Sequence, residues 1–152
     1  MSATGLDVFD KTLHITNTWL GEIMEVLGPD RQVAWHALGA VLRPIRDRVP
    51  LAVAAHLGDQ LPLLVRGLYY DQWRGSATPE TWRSAEEFLA LVTAGLHGIR
   101  PVGPEDAARA VFGVLNHHVT PEQVAKVRAA LPEAVRRLWP EAGGPAAARS
   151  AA

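Results

Sequence analysis

The chain has 152 residues, with 15 basic and 16 acidic side chains, a net charge of −1 and no cysteine. The length suits one domain able to bury a core of its own. The charge balance excludes an overall field that would draw in nucleic acid or an anionic membrane, and the missing thiols exclude disulfides, thiolate metal centres and a cysteine nucleophile.

Helical periodicity dominates from the start. Phe9, Leu13, Thr16, Leu20, Ile23 and Leu27 recur at spacings of three and four, which line one face of a helix. Gly28-Pro29 ends that helix and starts the next, whose inward stripe is Ala34, Leu38, Val41, Leu42, Ile45 and Val49. Pro44 lies inside this second helix and is expected to kink or break it, because proline removes a backbone donor and crowds the preceding turn. Val49-Pro50 opens a short third helix with Val53, Ala54 and Leu57 inward, and Pro62 opens a fourth with Leu61, Leu64, Val65 and Leu68 inward.

A polar break follows at Gly75–Pro79. Ser84 with Glu87 forms a capping-box pattern ahead of the stripe Phe88, Leu91, Val92 and Leu96. Gly103-Pro104 begins a helix carrying Ala107, Val111, Phe112 and Leu115. Thr120-Pro121-Glu122-Gln123 reads as a second capping box, with proline where its missing N–H costs nothing; Val124, Val127 and Leu131 continue from it. Pro132 restarts the chain, with Val135 and Leu138 inward. No strand pattern occurs. The fold class is therefore all-α, a bundle of about seven to eight helices. Residues 1–141 are expected to form the single helical domain, and the Gly/Ala/Pro/Ser-rich stretch 142–152 a disordered tail.

The two halves, about 6–74 and 80–140, resemble each other. Gly28-Pro29-Asp30 echoes Gly103-Pro104-Glu105, Ala37–Leu42 echoes Ala110–Leu115, and Gln60–Leu68 echoes Ala130–Leu138. The offset is about 70 residues, as from Leu61 to Leu131. An internal repeat packed into one core is the expectation.

These spaced elements also carry a family resemblance. His36–Leu42, Arg46–Pro50, Ala54–Leu57, Gln60–Pro62 and Arg66–Tyr70 with Trp73, together with Phe88 through Leu138-Trp139, resemble the domain-of-unknown-function family numbered 2267, over about Phe9 to Pro140. The resemblance implies a bacterial, mostly helical protein. It implies no activity and no catalytic residues.

Residues able to carry chemistry are sparse. The six histidines include no pair at the i, i+4 spacing of a helical metal site and no Glu-x-x-His pair of a di-iron bundle. His117 and His118 are adjacent, so in a helix their side chains diverge by about 100°, and their place near a helix end suits the backbone dipole without a ligand. No metal or other cofactor is expected, His36, His56 and His117 being the weak candidates. There is no Gly-x-Ser-x-Gly elbow and no phosphate-binding loop, and Glu86-Glu87 reads as first-turn dipole compensation. Arg43, Arg46 and Arg48 are interleaved with Asp47 and read as a solvated face. The segment Arg66–Arg74 and Trp82 gather aromatics and arginine at the joint between the halves, as interface hot spots do. Arg66, Tyr69, Tyr70, Trp73 and Trp82 are accordingly the candidate partner-binding residues. The competing reading is that they clamp the joint onto the core, with Arg66 paired to Asp71 or Asp47.

The expected function is a non-enzymatic interaction or self-association module with a homo-oligomeric or protein partner. The alternative is a small-ligand or metal-binding protein using the groove between the halves. Nucleic acid and membrane are not expected partners. No run approaches the roughly 18 apolar residues of a membrane span, and Met1–Asp10 lacks the order of a secretory signal, so a cytoplasmic location is expected.

Overall fold

In the computed structural model, residues 2–141 are described, and the stretch expected to form a tail lies outside them. Among the described residues there are eight α-helices and no strand: α1 (Asp7–Leu27), α2 (Arg31–Arg48), α3 (Leu51–Asp59), α4 (Leu63–Tyr70), α5 (Ala85–Gly95), α6 (Pro104–His118), α7 (Pro121–Ala129) and α8 (Glu133–Arg136), with a 3-10 turn at Gly75–Ala77.

α2 is the central element, touching α1, α3, α4, α5 and α6. Its whole stripe from Ala34 to Val49 is buried. The helix runs through Pro44 without a break. Pro44 is itself buried, and packing on several sides outweighs one lost hydrogen bond. The crossing of α5 over α2 is close: a Cβ on Gly95 would lie 2.7 Å from Ala40 Cβ and 2.8 Å from Ala40 Cα. Only glycine permits that approach.

Local chemistry sets the helix ends. The Asp30 carboxylate accepts from the backbone N–H groups of Gln32 (2.9 Å) and Val33 (3.3 Å). It is Asp30, two residues past Gly28, that caps α2. Ser84 and Glu87 form the reciprocal box: Ser84 Oγ accepts from Glu87 N–H at 3.1 Å and donates to its carboxylate at 3.0 Å. At α7 only half of the expected box forms. Thr120 Oγ1 accepts from Gln123 N–H, but Thr120 N–H does not donate back to the Gln123 side chain, whose buried amide nitrogen has no partner among the described residues. Gln60 takes the other half from across the bundle, accepting from Thr120 N–H at 2.9 Å and donating to Thr120 Oγ1 at 3.0 Å.

Arginine closes the opposite ends. Thirteen of the 15 basic residues are arginine, and several donate to orphaned terminal carbonyls. Arg66 bonds the carbonyls of Gly58, Asp59 and Leu61 at and just past the end of α3; Arg43 bonds that of Leu68, and Arg46 those of Tyr69 and Asp71, at and just past the end of α4; Arg100 bonds that of Leu27 at the end of α1. The Arg43–Arg46–Arg48 group is thus no solvated face. Arg46 is buried, and Arg48 donates to Trp82 O at 2.7 Å.

The helices α1 to α4 have 21, 18, 9 and 8 residues, and α5 to α8 have 11, 15, 9 and 4. Leu61 and Leu131, Val65 and Val135, and Val49 and Val119 are all buried. α1 lies against α6, and α5 lies against α2. An aromatic row of Trp82, Phe88, Phe112 and Trp139 runs through the second half, with centroid spacings of 5.5, 6.1 and 4.1 Å. Four expected inward positions are exposed outside the core: Phe9 and Leu13 at the start of α1, Leu64 and Leu91. No helix of the described residues is long and apolar enough to cross a membrane.

Candidate functional site

The start of α1 is the first candidate. No residue from Ser2 to Ile15 is buried. Core contact begins at Thr16 and continues through Trp19, Leu20, Ile23 and Leu27. Leu6, Phe9 and Leu13 extend the Thr16–Leu20–Ile23–Leu27 stripe outward at alternating steps of three and four, the spacing of a coiled-coil seam. Phe9 is 54% and Leu13 44% exposed. The expectation that both face the core is corrected: the periodicity marks the face, but nothing among the described residues covers this part of it. Local contacts hold the segment helical. Asp10 accepts from the Ser2 and Thr4 hydroxyls and from Thr4 N–H, which lowers its pKa, and Lys11 pairs with Asp7 at 3.0 Å.

The second candidate joins the two halves. Glu22 on α1 and His117 and His118 at the end of α6 place one ligand-type atom each within 4.8 Å of one another. His117 reaches one carboxylate oxygen through Nδ1, and His118 reaches the other through Nε2. The divergence expected of adjacent helical residues is overcome because one ring uses its near nitrogen and the other its far nitrogen. The rings are 4.7 Å apart. His118 stacks on Trp19 at 5.1 Å and an interplanar angle of 20°. The side chains of Glu22 and His118 are each 25% exposed and that of His117 is 69% exposed. His36 and His56 take no part; both are exposed, and His36 Nδ1 lies 2.8 Å from its own helix's Gln32 carbonyl. Sequence reasoning missed Glu22, which lies some 95 residues from its partners, and no local signal marks it.

The joint residues turn inward. Tyr69 is fully buried and donates to Ala54 O at 2.7 Å; burial pushes its pKa far above the usual phenol value. Trp82 is buried, Tyr70 and Trp73 are half-buried, and Tyr70 donates to Ala55 O at 3.3 Å. Tyr70 lies 4.9 Å from Tyr69 and 5.2 Å from Trp73, ring to ring. Arg66 caps α3 and pairs with neither Asp71 nor Asp47; Arg43 and Arg46 hold those two acids. A cleft of about 200 Å³ between α2 and α5, bordered by Arg43, Pro44, Asp47, Glu80 and Gly95, is smaller than the roughly 300–1,000 Å³ of typical small-molecule sites.

These features define a class: a small α-helical bundle with an unpartnered helix end and a histidine–carboxylate cluster between its halves. The chain belongs to the family of uncharacterised conserved proteins designated DUF2267, whose model matches residues 16–138. A comparison with curated proteins finds none that matches. The matched segment begins at the first buried residue of α1 and contains Glu22, His117 and His118; the free start of α1 precedes it.

Proposed function

We propose that the protein is a non-enzymatic interaction module that self-associates through the free first turns of α1. One observation carries this reading: the core stripe of α1 continues in register past the core, through Leu13, Phe9 and Leu6, with no covering partner among the described residues. An exposed apolar seam at coiled-coil spacing gains by packing against its like, and a two-fold pairing of α1 with α1 needs only one patch. Three or four apolar side chains per copy fall well short of the roughly 1,200 Å² of a permanent interface. The association is therefore weak and set by concentration. The inward aromatics of the joint support the clamp reading there, which moves the interaction surface from Tyr70 and Trp73 to α1. A cytoplasmic location, in keeping with the cysteine-free composition, and the bacterial origin that the family resemblance implies belong to the same proposal.

Sedimentation equilibrium of the untagged full chain tests it. The average mass is expected to rise with concentration. The double substitution Phe9→Asp, Leu13→Asp is expected to hold the protein monomeric without lowering its melting temperature, since neither side chain is in the core. A monomer at every concentration, or an oligomer indifferent to the double substitution, overturns the reading.

A further inference from the structure

We propose that Glu22, His117 and His118 bind one divalent transition-metal ion, zinc fitting best, and that the ion ties α1 of the first half to α6 of the second. The site is independent of the α1 seam.

The donor set is two imidazole nitrogens and a carboxylate oxygen, the borderline chemistry that zinc, cobalt(II) and nickel(II) share and that calcium and magnesium do not prefer. Zinc sits about 2.0–2.2 Å from such donors, which places donor atoms a little over 3 Å apart in a tetrahedral shell. The three atoms already lie within 4.8 Å of one another, so small rotations about the Glu22 side chain admit the ion. Three protein donors leave a fourth position, and the open side of His117, 69% exposed, turns it toward solvent.

Two features prepare the site. Trp19 is almost wholly buried and holds the His118 ring by stacking, so one donor is oriented before any ion arrives. The histidines occupy the last turn of α6, where the negative end of the helix dipole favours a cation. Charge points the same way. No arginine or lysine pairs with Glu22 among the described residues. A divalent ion would supply Glu22 with a permanent countercharge.

Calorimetric titration of zinc into the untagged full chain, paired with the visible absorption of added cobalt(II), is the test. One ion per chain is expected, with visible cobalt bands and a raised melting temperature. Glu22→Gln and His118→Gln should each weaken binding by roughly tenfold or more, and His14→Gln should leave it unchanged. Nitrogen NMR of the unmodified protein provides a readout that does not depend on variants folding: zinc should shift Nδ1 of His117 and Nε2 of His118. Absence of saturable zinc binding overturns the proposal. Equal affinity in the Glu22 and His118 variants, or zinc-dependent shifts confined to other histidines, overturns it as well.

Discussion

Replacing Arg46 by methionine tests the clamp that holds α4 to α2. Arg46 is the only charged residue buried among the described residues, at 5% exposure. Its guanidinium donates to Tyr69 O at 2.7 Å, to Asp71 O at 3.0 Å, and as a fork to both Asp47 oxygens at 2.8 and 3.0 Å. Methionine keeps much of the stem's packing and removes every donor. The Tyr69 carbonyl, at the end of α4, is then left unpaired in the interior, at a cost of about 1–3 kcal/mol. Removing one partner of a fully buried ion pair costs about 3–5 kcal/mol, but the Asp47 side chain is 21% exposed and can rehydrate, so less than that applies. The expected loss is roughly 2–4 kcal/mol, read from urea unfolding followed by helical circular dichroism. Arg46→Lys should recover part of it, since an ammonium reproduces one contact and not the fork. A loss below about 1 kcal/mol for the methionine variant would refute the account and show the guanidinium replaceable by water.

Further outcomes follow from burial and close approach. Leu61→Ala should cost roughly 2–5 kcal/mol as a core truncation, and exposed Leu64→Ala under about 0.5 kcal/mol, both by the same titration. Gly95→Ala should cost about 1–3 kcal/mol, because the new methyl meets the Ala40 backbone across the α2–α5 crossing. Trp73→Ala should lower the melting temperature and leave the mass in sedimentation unchanged. Burial raises the Tyr69 pKa in the folded chain, while the unfolded phenol ionises near its ordinary value of about 10. The stabilisation is therefore complete below that value and lost as pH rises past it, by up to about 1.4 kcal/mol per pH unit for this group. Urea midpoints measured across alkaline pH should fall in the parent and fall less in Tyr69→Phe.

Helix number and most breaks were legible because they rest on local chemistry: steps of three and four, the Ser84–Glu87 box, and prolines at breaks. What failed depended on the third dimension. Phe9, Leu13, Leu64 and Leu91 follow the apolar period, yet the period names a face and not whether anything lies over it. Pro44 suggested a break, but packing around α2 holds the helix through it. Thr120 was readable as a cap, although its second partner, Gln60, comes from 60 residues away. The arginines looked solvated because sequence shows charge and does not show which carbonyls lie within reach. The histidine pair was set aside on an angular rule that holds for equal reach. The two rings reach one carboxylate through different nitrogens, and α1 supplies that carboxylate.

The crossings α1–α6 and α5–α2 make a sharper distinction between a metal ligand and a simple clamp. His118 precedes the buried Val119 as Arg48 precedes the buried Val49. His118 lies on Trp19, and the Arg48 guanidinium carbon lies 5.6 Å from the centre of Trp82. At the end of α2 the neighbouring acid, Asp47, is held by Arg46, so that end is closed by permanent charge. At the end of α6 the acid is Glu22, and among the described residues only imidazoles pair with it. His118→Arg transfers the first solution to the second place: a guanidinium can pair with Glu22 and lie over Trp19 but cannot ligate a metal. The variant should keep the parent's metal-free melting temperature or exceed it, and the rise on adding zinc should disappear. If zinc still raises its melting temperature as much as the parent's, His118 is not a ligand. If the metal-free protein is instead strongly destabilised, the imidazole stack on Trp19 contributes packing that a guanidinium does not replace.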